Sequence, residues 1–313
     1  MTSAVVFAYH NVGVRCLQVL LAHGMRVPLV LTHRDSPGEN IWFESVIATA
    51  ERHGLDFITP DDANAPEVVD RLRALKPDFL FSFYYRQMLK PELLAVASRG
   101  AFNMHGSLLP KYRGRVPVNW AIIRGERETG ATLHEMVAKP DAGRLVDQQA
   151  VPILPDDTAL EVFNKVTVAA EIVLDRSLPA LISGTARLRV QDLSQGNYFG
   201  GRKPEDGRID WTQPARAVHN LVRAVAPPYP GAFTDVRGRR LLVFKTRVLN
   251  SRAPFTGPAL GVRDGKCLAA CGDGGVLELE RLEIDGRPFT AQDFLATFGE
   301  QPVSAVSSSK ESA

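Results

Sequence analysis

No stretch of this sequence reaches the roughly 18 uninterrupted apolar residues that a membrane-spanning helix needs, so an integral membrane protein is not expected. Cysteine is scarce as well. Cys16, Cys267 and Cys271 are an odd set in 313 residues, a length that builds a core without disulfide staples, and a reducing cytoplasm is the expected compartment. Cys267 and Cys271 lack a second ligand pair, which argues against zinc, and no metal is expected. Excess charge is missing too: the formal net charge of +2 argues against nucleic acid or an anionic membrane surface as an obligatory partner. The opening MTSAVVFAYH has no basic region leading into a long apolar one, and it reads as a first strand instead of a signal peptide. Two catalytic fingerprints are absent. AYHNVGVRC offers only Gly13 where a dinucleotide-binding turn needs several glycines, which weakens a nicotinamide-dependent dehydrogenase reading. A serine-hydrolase G-x-S-x-G elbow is nowhere found. There is no internal repeat.

What remains is an ordinary soluble composition, 45% hydrophobic and 23% charged, with length for about two domains. From Ala4 to about Leu193, short apolar runs alternate with helical periodicity, which predicts βαβ units and a Rossmann-like, mostly parallel sheet. AVVFAYH, VPLVLTH, DFLFSFYY and GAFNMHG read as strands. VRCLQVLLAHG places Leu17, Leu20 and Leu21 on one face and stops at Gly24; ESVIATAERHG stops at Gly54; VVDRLRALKPD repeats the design with Val69, Leu72 and Leu75. A longer helix follows Asp157 or Thr158, either of which can cap it. After GNYFGGRKPEDGRIDW the texture changes to short strands with Gly and Asp turns. This predicts a catalytic domain over 1–204, a small β-rich domain of meander or barrel type over 205–300, and a disordered polar tail over 301–313.

The chemistry concentrates in AFNMHGSLLPKYRGRVPVNW, residues 101–120. Side chains two apart on a strand share a face, so Asn103 and His105 point together at the carboxyl end of one strand, where open α/β sheets bind ligands. Gly106 frees the backbone and Pro110 forbids the strand's continuation, so the loop bearing Arg113 and Arg115 can stand beside the pair. An amide donor can hold a developing oxyanion while an imidazole moves a proton, the two tasks of acyl transfer to an amine. Asp141, in AKPDAGRLV, is the candidate third group that orients the imidazole; spacing alone leaves that pairing open. Taken singly, each residue has an ordinary structural reading. A histidine near a strand end usually satisfies a local hydrogen bond, Asn and Asp before loops usually form turns, and arginines are as often solvated as they are anion clamps. The combination lifts the functional reading.

Asn103, His105, SLLPKYRG at 107–114 and DAG at 141–143 together resemble the signature of the 10-formyltetrahydrofolate-dependent formyltransferases. VVFAYH, THRDSPGEN, FSFYYR, YFGGRKPED and HNLVRAVAPPYPGAF further resemble the formyltransferase half of the bifunctional polymyxin-resistance protein ArnA, over about Val5 to Phe298. The resemblance implies a Rossmann-like catalytic domain with a small OB-like carboxy-terminal domain. It also implies formyl transfer to the 4-amine of UDP-4-amino-4-deoxy-L-arabinose, for lipid A modification, with 10-formyltetrahydrofolate as co-substrate. The chain ends before a second, decarboxylase half, so formyl transfer alone is expected. It implies Asn103 as oxyanion stabiliser, His105 as proton-transfer group and Asp141 as its charge partner. Folate contacts fall on Gln87, Met88, Leu89, Arg115, Val137, Ala138, Lys139, Pro140 and Asp141. Two departures stand out: Tyr229 replaces the family's usual Trp before P-G-A, and Pro140 precedes Asp141. Basic Arg202 and Lys203 suit a diphosphate, with Tyr198 or Tyr229 against uracil.

Rivals remain. Methionyl-tRNA formyltransferase shares the trio, but a tRNA-gripping enzyme calls for a more basic carboxy-terminal region than one containing GGVLELERLEIDG. A folate- or nucleotide-binding protein without turnover would not need all three of Asn103, His105 and Asp141. The sequence leaves the oligomeric state open.

Overall fold

The structure, a computed structural model, describes residues 1–251 and 253–305. It is a mixed α/β protein with a parallel-rich sheet and a separate carboxy-terminal antiparallel β region. Two compact units divide the chain. The first comprises Met1–Pro117, Glu128–Pro152 and Phe163–Gly200; the second comprises Val118–Arg127, Ile153–Val162 and the chain from Gly201. The sequence reading places one cut after 204, whereas the second unit also draws in two short upstream segments. Hydrogen bonds within that unit account for them: Asn119 Nδ2 donates to Ala224 O at 2.7 Å, and the Arg223 guanidinium donates to the carbonyls of Leu154 and Asp157.

The first unit starts with β1 (Ser3–Ala8), whose residues are all buried, and α1 (His10–Ala22), which buries Val12, Cys16, Leu17 and Leu20 before the chain turns at Gly24. β2 (Arg26–Leu31) leads to α2 (Val46–Arg52), capped by Ser45 Oγ, and then to β3 (Phe57–Ile58). α3 (Pro66–Leu75) opens on proline, which lacks the N–H that a first turn leaves unpaired anyway. β4 (Phe79–Phe83), α4 (Pro91–Leu94), β5 (Ala101–His105) and the two-residue β6 (Arg113–Gly114) follow. α5 (Pro117–Ile123) belongs almost wholly to the second unit. β7 (Glu128–Glu135) and β8 (Leu145–Pro152) complete a seven-stranded sheet in the order β3-β2-β1-β4-β5-β7-β8.

The first five strands of that order pair in parallel; β7 and β8 join antiparallel. Continuous apolar runs such as AVVFA and FLF fit strands covered on both faces. α6 (Ala159–Ser183) is capped by Thr158, whose hydroxyl exchanges hydrogen bonds with Glu161; Asp157, the other candidate, accepts from Leu154 N–H instead. β9 (Tyr198–Phe199) pairs with β6.

In the second unit, α7 (Ala215–Ala224) and α8 (Ala291–Phe298) pack Val218, Val222, Phe294 and Phe298 onto one core with strands β10 (Ala232–Val236), β11 (Arg239–Leu249), β12 (Ala259–Arg263), β13 (Lys266–Ala270) and β14 (Val276–Ile284). β15 (Arg287–Pro288) pairs with β14, and β16 (Val303–Ser304) with β12. The tail expected to be disordered from 301 is therefore ordered where it begins. Val303, 9% exposed, joins the second unit's core and draws the strand onto that edge. The remainder of that tail, 306–313, lies outside the described residues. Among the described residues no helix is long and apolar enough to cross a membrane, and the three cysteines are buried and unpaired.

Candidate active site

β5 delivers Asn103 and His105 to the same face, Asn103 half-buried and His105 6% exposed. The next residue, Gly106, lets the Tyr84 hydroxyl come close to the backbone: a Cβ there would stand 2.1 Å from it, so a larger residue would have to displace that ring. The following loop is fastened to the two antiparallel strands. Thr132 Oγ1 donates to Ser107 O at 2.6 Å and accepts from Leu109 N–H, while Gln148 Nε2 donates to Leu109 O at 2.8 Å. So held, Tyr112 presents its carbonyl oxygen 2.9 Å from His105 Nε2. A carbonyl only accepts, which assigns the hydrogen to Nε2 and leaves Nδ1 as the nitrogen that takes up or gives a proton. Nδ1 faces Asp141 Oδ1 at 3.6 Å. Burial pushes the imidazole below its ordinary value, opposed by the Asp141 charge and the Tyr112 carbonyl.

Asp141 adopts φ +52°, a left-handed conformation that Asp tolerates better than most non-glycine residues. Two residues on, a Cβ at Gly143 would lie 1.9 Å from Glu135 O, so the last position of DAG admits only glycine. Asp141 Oδ2 accepts from Gly114 N–H at 2.8 Å. Burial alone would raise this carboxyl, but the His105 charge and the Gly114 N–H hold it well below the usual carboxylate range.

His134 was not among the residues the sequence singled out. It is the direct cross-strand partner of Asn103, 2% exposed, with Nδ1 2.9 Å from Glu135 O and Nε2 3.1 Å from Asn103 Nδ2 and 3.5 Å from Asp141 Oδ1. The Glu135 carbonyl assigns its hydrogen to Nδ1, so Nε2 accepts from the Asn103 amide and fixes which way that amide faces. The available signal was Thr132 and His134 sharing one face of the strand while Ala131 and Leu133 take the other.

Asn103, His105 and Asp141 are thus brought together in one unit. Of the other expected residues, Gln87 spends its side chain on the fold, accepting from Ala63 N–H and donating to Asp61 O. Leu89 is buried; Met88 and Val137 are exposed apolar residues, 59% and 39%, on the loops after β4 and β7. Arg115 is exposed and its N–H donates to Phe199 O; Ala138, Lys139 and Pro140 lead into the Asp141 turn, Ala142 N–H donating to Lys139 O. Arg113 is no anion clamp: 7% exposed, its guanidinium donates to Leu193 O and Gly196 O. Tyr198 is 57% exposed.

Arg202, Lys203 and Tyr229 belong to the second unit. There the Arg202 guanidinium lies 4.9 Å over Trp120 and donates to Asp206 O, Lys203 is exposed, and Tyr229 packs against that unit's core.

The Formyl transferase family matches residues 22–178, half of the chain, and the Formyl transferase C-terminal domain matches 202–299. Among solved structures, the chain is similar at 20% identity to an N-formyltransferase from Helicobacter canadensis in complex with folinic acid and dTDP-3-aminofucose, covering 89% of this chain and 99% of that one with a TM-score of 0.69. It is similar at 20% identity to WlaRD, a sugar 3N-formyltransferase in the presence of dTDP and 5-N-formyl-THF, over 92% of this chain and 99% of that one with a TM-score of 0.71. HypX from Aquifex aeolicus in complex with tetrahydrofolic acid matches at 19% identity with a TM-score of 0.62, over 93% of this chain but 46% of that one. At such identities the likeness is one of fold. The family match over both regions carries the assignment: the chain belongs to the formyl transferase family.

Proposed function

We propose that this protein transfers a formyl group from 10-formyltetrahydrofolate to the 4-amine of UDP-4-amino-4-deoxy-L-arabinose, giving the 4-formamido sugar nucleotide used in lipid A modification and polymyxin resistance. The observation that carries the reading is the convergence of Asn103, His105 and Asp141 at the end of β5, with His105 Nδ1 left open to a proton. 10-Formyltetrahydrofolate supplies an activated formyl carbon. The amine attacks the formyl carbon while the Asn103 amide N–H not taken by His134 faces the developing oxyanion. His105 Nδ1 takes the proton shed by the amine, Asp141 stabilises the imidazolium, and the proton passes to folate N10 as the formyl C–N10 bond breaks and tetrahydrofolate leaves. Met88 and Val137 offer apolar surface to the folate's rings, beside the buried Leu89; the loops 87–89 and 137–141, with Arg115, supply its remaining contacts. Within the first unit, the exposed Tyr198 ring serves the nucleotide base. Solved sugar formyltransferases of this fold, crystallised with dTDP or a dTDP sugar, support an amino-sugar nucleotide as acceptor.

A small acceptor is favoured over tRNA by the second unit's own charges. Lys245 and Arg247 pair with Glu280, and Arg247 and Lys266 with Glu278, which leaves these side chains little free positive charge for a phosphate backbone. The test is tetrahydrofolate release and product mass on incubating the pure protein with 10-formyltetrahydrofolate and a panel of UDP and dTDP amino sugars. Turnover of the UDP-arabinose amine is expected. Turnover of dTDP sugars alone would overturn the acceptor, and formylation of initiator tRNA alone would overturn the class.

A further inference from the structure

Gln191 lies between the two family-matched segments, 9% exposed, on the chain that follows α6. Its side-chain Nε2 donates to Asp141 O at 3.1 Å and to Gly143 O at 2.5 Å. Both amide hydrogens of one side chain are therefore taken by the carbonyls on either side of Ala142. Gln191 is brought there by a single antiparallel bridge, in which Leu145 and Arg189 exchange N–H···O bonds of 2.7 and 2.8 Å.

The same stretch also holds the other loop of the site. Arg113 N–H donates to Asn197 O and Arg115 N–H to Phe199 O, and the close approach is absolute at Gly196, where a Cβ would fall 1.9 Å from Pro110 O. Residues 189–199 thus brace both the loop that carries Asp141 and the loop whose Gly114 N–H binds its carboxylate. Asp141 stands at φ +52°, and the carbonyls on either side of Ala142 need donors. Gln191 supplies donors where the turn directs its carbonyls inward.

We propose that Gln191 is a positioning residue for formyl transfer, holding the 141–143 turn so that the Asp141 carboxylate stands between His105 and His134. The inference rests on the roles given above to Asp141 and His105, and it reaches a residue outside the signature motifs. Gln191 touches no reacting atom; it acts through Asp141.

Two measurements test it. In the first, kcat and KM are determined for the wild type, Gln191→Met, Asp141→Asn and the double variant, with 10-formyltetrahydrofolate and an amino-sugar nucleotide that the wild type turns over. Methionine keeps the length and removes the donors. Gln191→Met is expected to lower kcat by about 10- to 100-fold, the cost of misplacing a catalytic group by a fraction of an ångström to one ångström. The double variant is expected to be no slower than Asp141→Asn alone, because residues acting as one unit do not add. Wild-type kcat in Gln191→Met, or losses that multiply, would overturn the proposal.

The second is an NMR titration of the His105 ring, which Asp141 and His134 face from the 141–143 turn and from β7. Gln191→Met should lower its midpoint toward that of Asp141→Asn, and an unmoved midpoint counts against positioning. This needs no acceptor, so it decides the role of Gln191 even where absence of turnover sinks the functional reading. If Gln191→Met does not fold, Gln191→Glu, which keeps the shape but presents a carboxylate to the two carbonyls, is put through the kinetic measurement with the same expected outcome.

Discussion

His134 Nε2 stands 3.1 Å from the amide nitrogen of Asn103, its direct partner across β5 and β7. That contact assigns the orientation of the amide expected to meet the oxyanion, since an imidazole whose Nδ1–H is given to the Glu135 carbonyl has only an acceptor left to offer. Replacing His134 by Phe keeps a ring of similar size and removes the acceptor. A hydrogen bond of this type is worth about 1 kcal/mol, so a fall in kcat of up to about tenfold with little change in KM is expected. His134→Gln, which can still accept, should recover part of it. Equal kcat values for Phe and Gln variants would show that the ring only fills space.

Asn103 itself is expected to matter more. As an oxyanion donor its loss in Asn103→Ala should lower kcat by about two to three orders of magnitude while the folate KM stays near the wild-type value. Steady-state kinetics at saturating sugar nucleotide measure this directly; a KM effect alone would make Asn103 a binding residue.

The pH dependence has a definite sign. Burial lowers the His105 pKa and the neighbouring Asp141 charge raises it. Asp141→Asn removes the raising influence, so the imidazole loses its proton at lower pH than in the wild type, and the acid limb of kcat/KM should shift downward together with the fall in rate. A limb that stays in place, or moves up, would mean that another group sets it.

The fold class and part of the site were legible in the sequence, for identifiable reasons. Strands buried on both faces leave apolar runs, and Gly24 and Gly54, both at positive φ, mark where helices stop. The shared face of Asn103 and His105 follows from the alternation of a pleated strand alone. The approach of Asp141 does not: it depends on β7 turning back antiparallel to β5, on a left-handed backbone and on a Gly143 with no room for a Cβ, none of which spacing encodes. His134 and Gln191 were missed because their partners are reached across strand pairs and from 50 residues away, where a local pattern carries no signal. Val303 was read as tail because two residues pairing on an edge are too few for periodicity.

Acid should destabilise the fold before the carboxylates protonate. His10 is enclosed by Phe43, Trp42 and Phe163 at ring-centre distances of 4.0, 4.5 and 4.6 Å, and His33 stacks on Tyr85 at 4.1 Å. Burial, helped by the Arg86 charge, brings both imidazoles down to about 4. In the unfolded chain they titrate near 6.5, so below that pH the unfolded state binds protons that the folded state refuses. Their contribution is complete above pH 6.5 and is lost as pH falls toward 4, about 1–2 kcal/mol for the enclosed His10 and less for the more exposed His33 once solvent screening is allowed for. Thermal midpoints measured from pH 7 to 4 should fall, and less steeply in His10→Phe. Parallel curves for the two proteins would remove His10 from the account.

The third position of the DAG turn offers the sharpest structural test. Gly143 does not need a positive φ, yet a Cβ there would be 1.9 Å from Glu135 O and 2.8 Å from Glu135 C, both backbone atoms of β7 that cannot rotate away. Gly143→Ala therefore has to push the turn off the strand, which also draws Asp141 from His105 and His134 and breaks the Gln191 hydrogen bond to Gly143 O. Overpacking of this kind costs about 1–3 kcal/mol or more. Urea unfolding should show a lower midpoint at an unchanged slope, and formyl transfer should fall further than the stability loss explains, since the folded fraction carries a displaced carboxylate. Alanine at Gly24 is the control: nothing lies within 4 Å of its Cβ position, and its φ of +69° limits the cost to local backbone strain. Gly24→Ala should lower the urea midpoint modestly and leave kcat unchanged, whereas a Gly143→Ala enzyme with wild-type kcat would show that the turn's position does not govern the chemistry.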